Sequence, residues 1–139
     1  MIAVQPSQTL VVMTTATRRY AARAADLSGV RRVVPGDPRY VMFDLGALLD
    51  PADIAQEPLF AALIIPLRRR NVALLVTRVE HVLTHLPEYP LPALVQQQLQ
   101  QPWACGLVQF EDSVIVRLDP RAVVRSAMAQ RRADSPEAV

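Results

Sequence analysis

The stretch from Pro102 to Met128, PWACGLVQFEDSVIVRLDPRAVVRSAM, constrains this chain more than any other. Trp103 to Phe110 is apolar and β-prone, with Gly106 inside it. Glu111, Asp112 and Ser113 supply a tight polar turn, and Val114 to Leu118 is rich in β-branched residues. Asp119-Pro120 then opens a helix. The aspartate accepts from backbone N–H groups as N-cap, and proline's fixed φ and missing N–H suit the first helical position. Strand, turn, strand and capped helix make the wall of a small barrel and a helix that packs on it. Nothing in the stretch has the pattern of catalytic machinery, which points to a binding module.

The same device occurs once more. Phe43-Asp44-Leu45-Gly46-Ala47-Leu48-Leu49 aligns with Leu118-Asp119-Pro120-Arg121-Ala122-Val123-Val124. Each reads as a strand end, an Asp cap and a short apolar helix, so each half of the chain closes in the same way. Two similar β subdomains follow, each needing neighbours to cover its sheet edges. The expected domains are an arm at 1–8, a single domain at 9–128 and a flexible tail at 129–139. Its subdomains, about 9–58 and 59–128, are consecutive or interleaved.

The rest of the chain fits this scheme. Thr9–Ala16 is a strand, Thr17-Arg18 a turn, and Arg19–Ala22 the return strand. Ala24 to Gly29 is a helical turn ended by its glycine. Val30–Val34 and Tyr40–Phe43 are strands on either side of the break Pro35-Gly36-Asp37-Pro38. Asp50-Pro51 begins a polar connection that reaches Pro58. Leu59–Leu67 is apolar throughout, as in a strand buried on both faces, and Pro66 in it implies an edge or a bulge. Arg68–Asn71 turns the chain into Val72–Val76, and Arg78–Leu86 continues as a strand, preferred over a short helix for its β-branched residues. Pro87–Pro92 is a loop, and residues 92–101 form a helix with Leu94, Val95 and Leu99 on one face.

The 139 residues are 51% hydrophobic, which supplies a core and argues against disorder. The net charge is only +2, and all fifteen basic residues are arginine. An all-arginine set suits a phosphate or carboxylate partner, but acidic residues are mixed among the arginines, which favours the reading of a solvated surface. No apolar run approaches the length of a membrane span and no secretory signal precedes the domain, which predicts a cytoplasmic protein with no membrane insertion. Cys105 has no intramolecular partner and lies in an apolar strand, so it is expected as a buried structural thiol.

Candidate chemistry is sparse. His81 and His85 have an HxxxH spacing with Glu80 and Glu88 nearby, but lack the third ligand and base of a zinc enzyme, and no metal or cofactor is assigned. Arg68-Arg69-Arg70 reads as a solubilising hairpin tip; no aromatic residues alternate with it, so the stacking platform for single-stranded nucleic acid is missing. Gly29, Gly36, Gly46 and Gly106 are isolated and make no phosphate loop. Asp44 and Asp119 are explained by capping. No catalytic residue and no enzyme activity is predicted.

Taken in order, these elements resemble the CheW-like domain, the coupling module of bacterial chemosensory systems. The matching stretches are Leu63–Val82, the proline-rich loop around Leu86–Pro92, and Trp103–Val124, with Gly106 and Leu118-Asp119 at the family's late "GxxxxxxxxxxxLD" pattern. In the first half, Leu10–Tyr20 matches the opening hairpin, Ala25–Val34 the helical turn and strand, and Asp44-Leu45 the family's "DL". The resemblance spans roughly residues 9–128. It implies a mainly β fold of two small SH3-like β-barrels with short helices.

The implied function is non-catalytic scaffolding. The chain would join a CheA-like histidine kinase to a chemoreceptor cytoplasmic domain, or serve another motility or regulatory pathway; a nucleic-acid-binding barrel is the more distant alternative. Two departures stand out. The family's "GxxNLRG" segment, whose arginine would fall at Gly36, is missing, and with it about one strand of the first subdomain. Thr77 also stands where the family has an aspartate. The expected partner contacts are Val30, Val33, Val34, Tyr40, Met42, Arg78 and Val79. The shortened barrel is expected to expose an edge, at Val30–Val34 or Tyr40–Phe43, to a partner or a second copy.

Overall fold

The computed structural model describes residues 9–84, 86–93 and 103–134. In chain order the strands are β1 (Leu10–Thr14), β2 (Arg19–Arg23), β3 (Gly29–Arg32), β4 (Tyr40–Asp44), β5 (Ala61–Pro66), β6 (Asn71–Val76), β7 (Arg78–Leu83), β8 (Glu88–Tyr89), β9 (Ala104–Phe110) and β10 (Ser113–Leu118). Helix α1 (Leu45–Leu49) follows β4, and α2 (Pro120–Asp134) follows β10. The protein is mainly β, as expected. The expected arm at 1–8, the helix at 92–101 and His85 lie outside the described residues, apart from the first positions of that helix.

The strands form two sheets, in the orders β7-β1-β2-β10-β9-β8 and β3-β5-β6-β4. Each sheet takes strands from both sides of residue 58. The hairpin β1–β2 is flanked by β7, antiparallel to β1, and β10, parallel to β2. The hairpin β5–β6 is flanked by β3, antiparallel to β5, and β4, parallel to β6. Each half of the chain therefore makes a hairpin and then gives its next strands to the hairpin of the other half. The internal repeat is the visible trace of this exchange. Asp44 accepts from Ala47 N at 3.4 Å and Asp119 from Ala122 N at 3.3 Å, the same cap position on two helices that follow the two parallel strands.

Period-two alternation fills three hydrophobic layers. Val11 and Met13 of β1, Leu63 and Ile65 of β5, and Val72, Leu74 and Val76 of β6 meet between the sheets, sealed by Leu45, Leu118, Val123 and Val124. Leu10 and Val12 point the other way, toward Val108, Phe110 and Ile115 inside the first barrel. Ala62, Ile64 and Ala73 point into the second barrel with Val33. The central strands are buried on both faces, which explains why their sequences are continuously apolar.

Several expectations are corrected. Gly29 does not end a helix: a 3-10 turn covers Ala24–Asp26, and Gly29 opens β3 opposite Ile64. Pro66 is neither at an edge nor in a bulge. It is the last residue of β5, paired with Asn71 beside the hairpin turn, where the ladder loses little without its N–H. The loop at Pro87–Pro92 contains β8, which pairs with β9. Helix α2 runs on to Asp134, past the point where polar composition predicts fraying. Ala, Gln and Arg are strong helix formers, and Arg131 and Arg132 favour the negative end of the helix dipole.

Candidate interaction surface

Where β3 and β7 approach each other, the two sheets leave an open groove of about 400 Å³, lined by Val30, Arg31, Arg32, Phe60, Thr77 and Val79 among others. The backbone places these residues. Val33 N donates to Phe60 O at 2.7 Å, which extends the β3–β5 ladder and holds Phe60 at the rim. Thr77 alone separates β6 from β7, and its N–H donates to Thr14 O at 2.9 Å as the chain passes from one sheet to the other. Phe60 is 42% exposed and Val30 40%. The Arg32 guanidinium lies 5.7 Å above the Phe60 ring, a cation–π contact at the groove wall. An exposed apolar floor with cationic flanks suits another protein surface.

The expected contact residues do not form one patch. Val30 and Val79 share this groove. Arg78 lies next to Val79 on β7, with its Nη2 3.9 Å from Glu80. Val34 is 68% exposed on the turn beyond β3. Tyr40 and Met42 line a second groove on the opposite edge of their sheet. Val33 is only 4% exposed and packs inside the barrel, so its side chain belongs to the core and not to a contact surface. Phe60 is the residue that sequence reasoning passed over. Its signal was an aromatic ring at the entrance to an apolar run, directly after the polar connection.

The polar groups mostly hold the scaffold together. Asp53 is buried, 1% exposed, and its carboxylate accepts from Thr17 N and Thr17 Oγ1, both at 2.7 Å, and from Thr15 Oγ1. Burial raises its pKa, but these hydrogen bonds outweigh burial and hold the carboxyl below the ordinary range. Glu88 is also buried. Its Oε1 lies 2.6 Å from Arg117 Nε and 3.9 Å from Arg23 Nη2, so a buried ion cluster ties β8 to β10 and β2. Cys105, expected to be buried, is only half-buried; it donates to Arg117 O at 3.4 Å, and burial pushes its thiol pKa up. His81 packs against Phe110, with ring centroids 5.1 Å apart. Among the described residues no group of three metal-binding side chains converges. The arginine tip has a further role: Arg70 Nη2 donates to Pro38 O at 3.0 Å and ties the β5–β6 turn to the chain before β4.

No family model matches the sequence. No curated protein matches it either. Its backbone does match solved structures. Scaffolding protein TtCheW from Thermoanaerobacter tengcongensis superposes with a TM-score of 0.56 at 15% identity, over 81% of this chain and 88% of that one. The chain therefore has the CheW fold of two β subdomains, the architecture that its motifs resemble.

Proposed function

We propose that this protein is a non-catalytic adaptor that couples a CheA-like histidine kinase to a chemoreceptor cytoplasmic domain in the bacterial cytoplasm. The observation that supports this reading is the CheW fold, matched to a scaffolding protein over most of both chains. The groove between β3 and β7 supplies a surface to act with: Val30, Phe60 and Val79 offer apolar contact, and Arg78 and Arg32 stand beside them. Two exposed hydrophobic rims joined at one seam suit an adaptor, which must hold a partner without transforming it. No helix among the described residues is long and apolar enough to cross a membrane.

The test is reconstitution with a purified kinase that carries a related domain and with receptor cytoplasmic fragments, reading kinase autophosphorylation. Adding the protein should raise the receptor-dependent rate. Phe60→Ser and Val30→Asp, both at exposed positions, should remove the effect while leaving the melting temperature nearly unchanged. Kinase activity indifferent to the protein at saturating concentration would refute the reading.

A further inference from the structure

The exchange of strands between the two halves allows them to be compared position by position. In the second half β10 is covered by antiparallel β9, and β8 follows. In the first half β4 holds the place of β10: both pair in parallel with a hairpin strand, and both end in an Asp-capped helix. The faces agree as well. Tyr40 and Met42 pack toward the barrel interior, as Ile115 does, while Val41 and Phe43 face the layer between the sheets, as Val116 and Leu118 do. Among the described residues, however, no strand lies beyond β4.

The chain has no room for one. Val33 to Arg39 makes a tight turn. Asp37 N donates to Val34 O at 3.1 Å, Pro35 leads the turn, and Gly36 takes the left-handed φ of 83° required next. The interior has adjusted to the loss. Ala62, Ala73 and Val33 fill it where the other barrel has Val108 and Phe110 from β9. What remains is an edge strand whose outward N–H and C=O groups lack a ladder, along a groove of about 440 Å³.

We infer that the outer edge of β4 takes up an extended, acidic segment of a partner protein as an antiparallel strand, in the place that β9 occupies on β10. The polarity follows from the charges. Asp37 lines the groove, but Arg39 holds it in a fork, with Nη2 at 2.7 Å and Nε at 3.1 Å. Two other cations line the same groove: Arg70, from the hairpin tip, and Arg131, from α2. Neither meets a carboxylate among the described residues. A second copy of this chain is a poorer match. Its own β4 brings a single carboxylate, Asp44, which already accepts from Ala47 N and Ala55 N. Main-chain hydrogen bonds along the edge would supply affinity, and alternate side chains would supply register. The inference adds a partner chemistry to the adaptor reading but stands on the edge alone.

The experiment uses the full chain and three synthetic peptides: (Val-Glu)4, (Val-Lys)4, and (Val-Glu)4 with every second backbone nitrogen methylated. Binding is followed by amide hydrogen exchange and NMR shift changes. With (Val-Glu)4, exchange should slow at Tyr40–Asp44 and not at β3. The lysine and methylated peptides should bind at least about tenfold more weakly. Arg70→Glu and Arg131→Glu, both at exposed positions, should each weaken binding about threefold to fivefold, as is usual for exposed ion pairs. Four results would overturn the inference: no binding of (Val-Glu)4, equal binding of (Val-Lys)4, protection at β3 instead, or protection of β4 that rises with protein concentration in the absence of peptide. The last would assign the edge to a second copy. The reconstitution assay remains the measure of adaptor function and can succeed where peptide binding fails.

Discussion

Replacing Asp53 should show how much one buried carboxylate contributes to joining the connection at 50–58 to the β1–β2 turn. Asp53 Oδ1 accepts two hydrogen bonds from Thr17 and Oδ2 accepts one from Thr15. A hydrogen bond to a charged group contributes about 1.5–3 kcal/mol, and each partner left unsatisfied carries its own desolvation cost. Thr17 is partly solvated and recovers bonding from water, so its two bonds together count as one at the low end, beside one for Thr15. Asp53→Ala should then lose about 3 kcal/mol, a large share of the 5–15 kcal/mol typical of a domain. Asp53→Asn keeps one carbonyl for Thr17. The Thr15 hydroxyl can accept from the new amide while donating to Arg18 O, 3.3 Å away. The cost of that variant should be about 1.5 kcal/mol, since the bonds lose their charge assistance.

The pH dependence separates the charge from the shape. Asp53 has a folded pKa below its unfolded value of about 3.9, so the folded state favours the ionised form. Its contribution is complete above that value and disappears as pH falls through the folded pKa. Asparagine does not titrate there. The stability gap between wild type and Asp53→Asn should therefore be constant from pH 7 to about 5 and shrink below about 4. Urea unfolding of both proteins between pH 7 and 3 measures this. A gap that stays constant or widens in acid would refute the reasoning, and so would an asparagine variant as stable as wild type at pH 7.

Other outcomes follow from neighbouring features. A Cβ at Gly46 would stand 2.6 Å from the Asp53 carbonyl oxygen and 2.9 Å from Thr15 Cβ, so Gly46→Ala should lower stability by about 1–3 kcal/mol in urea titrations. Glu88→Ala would leave Arg117 and Arg23 facing each other without their counter-charge; it should cost about 3 kcal/mol and speed amide exchange in β8. Glu111 holds a left-handed φ of 54° at the β9–β10 tip, so Glu111→Gly should raise stability by up to about 1 kcal/mol, read as a higher urea midpoint. Cys105, half-buried and with a raised thiol pKa, should react with a disulfide reagent at pH 8 far more slowly than a free cysteine, and denaturant should restore the rate.

The sequence carried most of the fold because its local signals agreed with one another. The Asp caps at 44 and 119, the β-branched runs and the Pro35–Pro38 break each have a physical meaning that tertiary packing left intact. Strand β8 was hidden because a two-residue strand beside prolines has no period to read. Gly29 misled because a glycine after a helical turn is as suitable for opening a strand. Val33 misled because it stands near an edge: sequence shows proximity to an exposed strand but not the face a side chain takes, and here a shrunken barrel drew it inward. The grooves were legible only in part. Val30 and Val79 are far apart in the chain and meet because Thr77 carries the chain between sheets, while Phe60 is brought to them by a single backbone bond from Val33.

The exchange of strands also sets the order in which the protein can be made. The β1–β2 hairpin leaves the ribosome before its neighbours β7 and β10, which come from beyond residue 77, and the register Leu118↔Ala22 closes only once β10 has been made. The β5–β6 hairpin finds β3 and β4 already synthesised. The sheet that contains β4 can thus assemble first, while the opening hairpin waits with both edges bare. A ribosome paused before β10 would hold an incomplete sheet, and a truncation there would remove more than one strand. It would leave β2 without the partner that β10 supplies.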